Sequence, residues 1–255
     1  MNTAVKVADL AAGYGSKNVV ENISFEVNSG EILALIGPNG GGKSTIIKAL
    51  TGFLPRSRGE VLFFGENADK ISRAELAKIL SVMLTERVKP DLMTCRDVVS
   101  AGRYPYTGMF GALSAEDNAE VDNALKTVEA EELSDMDFNS ISDGQRQRIL
   151  LARAICQQPK ILVLDEPASY LDIRHKIAFF DILKKLVREQ GIAVILSLHE
   201  LDFAQKISDK IICVNGGRIT LSGSPREVFA GDNIRALYGI SADLYKKYFD
   251  LEELS

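Results

Sequence analysis

The chain has 255 residues, with 30 lysines and arginines against 35 aspartates and glutamates, a net charge of -5 when both histidines are neutral. Charged residues are 25% and hydrophobic residues 46% of the chain, an ordinary globular mix that excludes a disordered segment and leaves no broad basic face for a nucleic-acid backbone. A chain of this length lies between one large domain and two small ones, and buries its core without disulfide or metal staples. Cys95, Cys156 and Cys213 are far apart and form no CxxC pair, so they read as reduced structural thiols. No apolar run reaches the ~18 residues that cross a bilayer, and Lys6 and Asp9 interrupt the stretch where a signal peptide needs an apolar core. The expectation is a soluble, cytoplasmic chain.

Short apolar strands alternate with helical patterns. Val5 and Val7, then Ile23, Phe25 and Val27, alternate with polar residues, the period-2 mark of strands covered on one face. Glu31–Ile36 is a continuous apolar run after its first residue, as buried parallel strands require. Ser72 and Glu75 have the spacing of a capping box that starts a helix. From Pro90 to about Gln158 the pattern is almost wholly helical, an insertion into the sheet domain. Ile161–Leu164 and Ile192–Leu196 are two more buried strands. Between them Ile177, Phe180, Leu183 and Val187 share a helical face that Gly191 closes. Asn215-Gly216-Gly217 joins two strand patterns as a hairpin, and Ser224-Pro225-Arg226-Glu227 opens a helix with proline in its first turn. The whole reads as an α/β fold with a largely parallel sheet.

Gly37-Pro38-Asn39-Gly40-Gly41-Gly42-Lys43-Ser44-Thr45 follows a buried strand and opens the helical stretch from Ile46. It matches GxxxxGK[ST] in the strand–loop–helix setting that motif needs. Glycines let successive amide N–H groups turn inward around an anion, and the helix start adds partial positive charge. Lys43 brings a full charge to β- and γ-phosphates, and the Ser44 hydroxyl is placed to ligate Mg²⁺. A glycine-rich turn before a helix is the bland alternative; the setting favours nucleotide. Asp165 and Glu166 end the apolar strand Ile161–Leu164. Alone they could simply cap a strand before the Pro167 turn. Beside a phosphate loop, Asp165 is a carboxylate for Mg²⁺ and Glu166 a group to activate water.

With those motifs in place the chain resembles the nucleotide-binding subunits of ATP-binding cassette (ABC) transporters over nearly its full length. Tyr14 falls where that family stacks an aromatic on adenine, and Ser142-Asp143-Gly144-Gln145-Arg146 where it has its signature sequence. Asp172, in Ser169-Tyr170-Leu171-Asp172, corresponds to the D-loop, and His199 to the switch histidine that senses the γ-phosphate. Gly102-Arg103-Tyr104-Pro105, Leu171-Asp172-Ile173-Arg174-His175 and Leu198-His199-Glu200-Leu201 are similar to importers of iron-siderophore, haem or cobalamin type. His175, in a polar helical stretch, reads as structural or exposed.

The resemblance implies a P-loop NTPase core with a mostly parallel sheet, an antiparallel β subdomain and an inserted helical subdomain. The core is expected over 1–84 and 159–223, the helical subdomain over 85–158 and a helical appendage over 224–255. It further implies an ATPase using ATP and Mg²⁺, with Lys43, Glu166 and His199 catalytic. A homodimer would sandwich each ATP between the phosphate loop of one subunit and the signature of the other. It would work peripherally on the cytoplasmic face of the membrane, with transmembrane permease subunits and, indirectly, a substrate-binding protein, and without nucleic acid.

Two positions depart from the family. Thr85 stands where it places a glutamine that contacts Mg²⁺ and water, and Asp143 replaces the first of two signature glycines. Asp143 is expected to cap the helix beginning at Gly144, since aspartate is favoured there. Turnover is expected to be slow and to rise in Asp143→Gly. The rival readings are a soluble non-transport ABC ATPase, a slow-turnover ATP-binding regulatory module and a small-molecule kinase.

Overall fold

The structure, a computed structural model, describes residues 2–84, 90–108 and 111–244. Strands β1 (Thr3–Tyr14) and β2 (Lys17–Asn28) pair antiparallel, and a short turn then leads into β3 (Ile32–Ile36). Glu31 lies outside β3 because its carboxylate turns back to accept from the Asn28 amide at 2.7 Å and from Asn28 Nδ2 at 3.0 Å. The loop after β3 enters α1 (Lys43–Leu50). Strands β4 (Arg56–Phe63) and β5 (Glu66–Asn67) complete a four-stranded antiparallel sheet in the order β2-β1-β4-β5. Helix α2 (Arg73–Ile79) starts on the expected Ser72–Glu75 capping box and runs directly into β6 (Leu80–Met83).

Helices α3 (Cys95–Ser100), α4 (Ala115–Thr127) and α5 (Asp143–Cys156) fill the stretch read as helical, each opened by its own capping box. Strand β7 (Ile161–Asp165) then returns to the sheet, followed by α6 (Ile173–Gln190), β8 (Ala193–Ser197) and α7 (Leu201–Ile207). The expected hairpin is β9 (Lys210–Asn215) and β10 (Arg218–Gly223), and two short helices follow, α8 (Pro225–Val228) and α9 (Asn233–Tyr238). The second sheet has the order β10-β9-β3-β8-β7-β6, parallel throughout except for β10.

Strand alternation divides the interior in two. Leu33, Leu35, Val163 and Ile195 face α1 and the antiparallel sheet, whereas Ile32, Ala34, Ile36, Leu164 and Leu196 face the helices α3 to α9. Helix α6 packs through Phe179, Phe180, Leu183, Leu186 and Val187. Ile177 was expected on that face but is half exposed; the buried stripe runs one position further round the helix, through Phe179 and Leu186. Gly191 closes α6 in the left-handed conformation at φ 68°. Cys95, Cys156 and Cys213 are all buried and unpaired, and burial pushes the Cys156 thiol up to about 12 and Cys213 to about 11.

A buried ion pair ties the inserted helices together. Arg103 donates to Asp117 at 2.9 Å, to the Cys156 carbonyl at 2.8 Å and to Gln158 Oε1 at 2.9 Å. The Tyr106 ring lies 4.0 Å from the same guanidinium. Hydrogen bonds from the Ser114 hydroxyl and amide, then from Arg103, hold the Asp117 carboxyl down to about 2. A carboxyl depressed in the folded state stabilises the fold above its unfolded value and stops doing so as it protonates. Arg103→Met is therefore expected to lower the melting temperature by roughly 5 °C at neutral pH. In thermal melts the stability gap between wild type and Asp117→Asn should close as pH falls from 3.8 through about 2; a gap that persists at the lowest pH would contradict the assignment.

Candidate active site

The loop over 37–42 wraps the start of α1 at the carboxyl end of β3. Gly42 sits at φ 112° as the residue before the helix, and a Cβ there would meet Val20 Cγ1 at 2.6 Å. Only glycine gives both the left-handed backbone and the close approach. Lys43, 4% exposed, curls its ammonium back onto the loop, donating to the Gly37 carbonyl at 2.8 Å and the Pro38 carbonyl at 3.1 Å. Burial lowers its pKa, while Glu166 and Asp165 pull it back up.

The acidic pair meets this loop from β7. Asp165, 3% exposed, accepts from the Ser44 hydroxyl at 3.0 Å and the Ser197 hydroxyl at 2.7 Å. Ser197 also accepts from the Glu166 amide at 2.9 Å, so one buried hydroxyl at the end of β8 sets both acids. Glu166 has φ 49°, a conformation uncommon for a residue with a side chain. Its carboxylate contacts His199 Nε2 and accepts from Ser169 Oγ at 3.4 Å. Asn39 to Thr45, Glu166 and His199 line a cleft of about 320 Å³ with Val19. A hard cation fits here: Ser44 Oγ and a shielded Asp165 oxygen are adjacent, and both are oxygen donors.

Residues 20–169 match the ABC transporter family. The chain belongs to that family. It is 40% identical to the uncharacterized ABC transporter ATP-binding protein MJ0873 of Methanocaldococcus jannaschii over 251 residues, 97% of this chain and 87% of that one. It is 33% identical over 231 residues to the ferric enterobactin transport ATP-binding protein FepC of Escherichia coli K12, 91% of this chain and 85% of that one. The solved dimer of the cassette MJ0796, in a post-hydrolysis state with ADP and Pi, superposes with a TM-score of 0.77 at 25% identity, covering 87% of this chain and 99% of that one. The chain is thus a nucleotide-binding ABC ATPase.

Within this cassette the remaining motif residues lie apart from the phosphate cleft. Ser142 caps α5, its Oγ accepting from the Gln145 amide at 3.3 Å while Gln145 Oε1 accepts from the Ser142 amide at 2.9 Å. Asp143 is therefore not the cap: it is the first helical residue, and its carboxylate is paired with Arg146. The capping-box spacing of Ser142 and Gln145 prevails because the hydroxyl reaches the third amide of the helix. Asp172 caps α6, accepting from the His175 amide at 2.9 Å and contacting His175 Nδ1 at 2.8 Å. The His175 amide and then its ring hold the Asp172 pKa below the usual carboxylate value. His175 is partly exposed, as expected. A Cβ on Gly144 would make ordinary contact with Leu171 and His175, so the starts of α5 and α6 lie side by side.

Tyr14 ends β1 and is 58% exposed, outside the lining of the cleft. Gly37 and Pro38 border a neighbouring groove with His199. Thr85 lies outside the described residues.

Two residues of the site carry no motif. Ser197 is fully buried between the two acids. Gly217, in the β9–β10 hairpin, donates its amide to the Gly41 carbonyl at 3.0 Å and accepts from the Glu21 amide at 2.9 Å. It holds φ 75°, and a Cβ there would strike the Val19 carbonyl at 2.1 Å. Hairpin and phosphate loop are thus one unit. Ser197→Ala should cost roughly 10-fold in ATP turnover, read as phosphate release, with Ser197→Thr keeping most of it. Wild-type turnover in the alanine variant would remove Ser197 from the site.

Proposed function

We propose that this chain is the ATP-hydrolysing subunit of a membrane importer for an iron-siderophore or a related metal chelate such as haem or cobalamin. Two copies would act together, peripherally on the cytoplasmic face, beneath transmembrane permease subunits served by a substrate-binding protein. The chain's own membrane contact is then indirect; among the described residues no helix is long and apolar enough to cross a bilayer. The similarity to the ferric enterobactin protein supports the cargo class. The observation that carries the chemistry is the placement of Glu166 at the cleft wall, its amide fixed by Ser197 and its carboxylate by His199, facing the loop that holds Lys43.

In this reading the triphosphate enters the loop and draws the Lys43 ammonium off the Gly37 and Pro38 carbonyls, exchanging neutral acceptors for a charged one. Tyr14, exposed at the end of β1, offers its ring face to the adenine. Ser44 and Asp165 would hold Mg²⁺, whose charge offsets that developing on the phosphates. Glu166 orients the attacking water and accepts its proton, and His199 holds that carboxylate now and the γ-phosphate later. Ser142–Gln145 of the second copy, with Asp172 nearby, would close over the nucleotide. Phosphoryl transfer of this kind depends on positioning and on preset charge.

A slow-turnover regulatory module would draw its support from Thr85, which lies outside the described residues, and from the carboxylate of Asp143. Because that group is paired with Arg146, repulsion from it is reduced and turnover is the stronger reading.

Glu166→Gln is expected to lower phosphate release by roughly 10³-fold while nucleotide still binds. The same variant with ATP and Mg²⁺ should double its solution mass. Lys43→Ala should lose nucleotide binding altogether. Hydrolysis at the wild-type rate in Glu166→Gln would overturn the assignment, and uptake of ferric siderophore, haem and cobalamin that in every case survives loss of the chain would overturn the cargo class.

A further inference from the structure

The turn that opens α5 carries a charge pair that the cleft of its own chain does not use. The cap consumes the polar side chains on either side of Asp143, since Ser142 Oγ and Gln145 Oε1 both bond the helix's own amides. Asp143 is left with its side chain 46% exposed at the surface of that turn. Its carboxylate lies on the guanidinium of Arg146, whose side chain is only 21% exposed. Arg146 is braced independently. Its second nitrogen donates to the Ile141 carbonyl at 3.2 Å and the Asn139 carbonyl at 3.4 Å, and its guanidinium stands 5.6 Å from the Phe138 ring centre. The arginine is a fixed cation, and the carboxylate folds onto it.

We propose that Arg146 is the counter-ion that lets Asp143 stand against the polyphosphate held by a second copy of the chain. The inference rests on the function proposed above, in which the turn Ser142–Gln145 of one subunit closes over the nucleotide of the other. A bare carboxylate in that turn would repel a triphosphate at close range, in a place from which closure expels water. Paired, the turn presents almost no net charge to the anion. The pair thus acts as a positioning device for closure and takes no part in bond breaking. The two side chains contribute with opposite sign. Removing Arg146 exposes a repulsive charge, and removing Asp143 removes the need for a counter-ion.

The test is a double-mutant cycle on the full chain in a Glu166→Gln background, with ATP and Mg²⁺. It reads the dimer dissociation constant by sedimentation and, in parallel, ATP binding by the monomer. Arg146→Gln should weaken dimerisation roughly 30-fold, with monomer ATP affinity unchanged, and added salt should shrink the defect. Asp143→Asn should dimerise at least as well as the parent. The double variant Asp143→Asn/Arg146→Gln should recover to within about 3-fold of the parent. If the double variant stays as weak as Arg146→Gln, the arginine merely props the 138–141 turn and the proposal falls. Dimerisation of Arg146→Gln at parental strength also overturns it. A Glu166→Gln parent that binds ATP but stays monomeric fails before either position is changed; it overturns the sandwich reading, and this inference with it.

Discussion

Asp165 accepts from Ser197 and from Ser44, and Ser197 accepts in turn from the Glu166 amide. This small buried network depends on one geometric fact, the register of β7 against β8. In the parallel ladder Leu164 lies beside Leu196, and Asp165 beside Ser197. A slip of one residue would turn every side chain to the opposite face. The two cores forbid it, because Leu162 and Leu164 belong to the helix side and Ile161 and Val163 to the α1 side. Apolar alternation in the strand interiors therefore sets the polar chemistry at their ends. The sheet places the acids.

The same economy governs the phosphate loop. Its glycines leave it without side chains to pack, so it needs support from outside. The β9–β10 hairpin supplies it through the Gly217 amide on the Gly41 carbonyl, and Val20 closes against Gly42 from β2. The loop is thus braced by elements from both sheets. The Lys43 ammonium adds an internal brace by bonding Gly37 and Pro38. An arriving anion must replace that last contact, and the lysine's lost hydration makes the exchange favourable.

What was legible in the sequence follows from how local its cause is. The phosphate loop, the acidic pair, the Ser72 and Ser224 caps, the hairpin and Gly191 each depend on residues within a few positions, and each stands where the spacing put it. The true cap of α5 is local too: Ser142 and Gln145 carry the capping-box spacing, and they displace Asp143 from the cap because the serine hydroxyl and the glutamine side chain both reach the amides there. Ser197 and Gly217 could not be found that way. A serine ending a strand or a second glycine in a turn has an ordinary local reason, and their work at the site comes from partners far along the chain. The pairing of Arg103 with Asp117 is hidden for the same reason.

One connection joins the cleft to the surface proposed to meet a second copy. From Glu166 the chain runs through Ser169, whose hydroxyl reaches back to the Glu166 carboxylate, and Leu171, whose amide donates to the Ala168 carbonyl at 3.1 Å. It then reaches the Asp172 cap of α6, with Leu171 and His175 against Gly144 at the start of α5. Each step is a hydrogen bond or a packed contact. The Glu166 backbone, which Ser197 tethers to the sheet, and the starts of α5 and α6 thus belong to one continuous set of contacts. The carboxylate at the cleft and the charge pair at the start of α5 therefore lie at the two ends of one short stretch of contacts, which is why a single chain carries both faces that the proposed dimer needs.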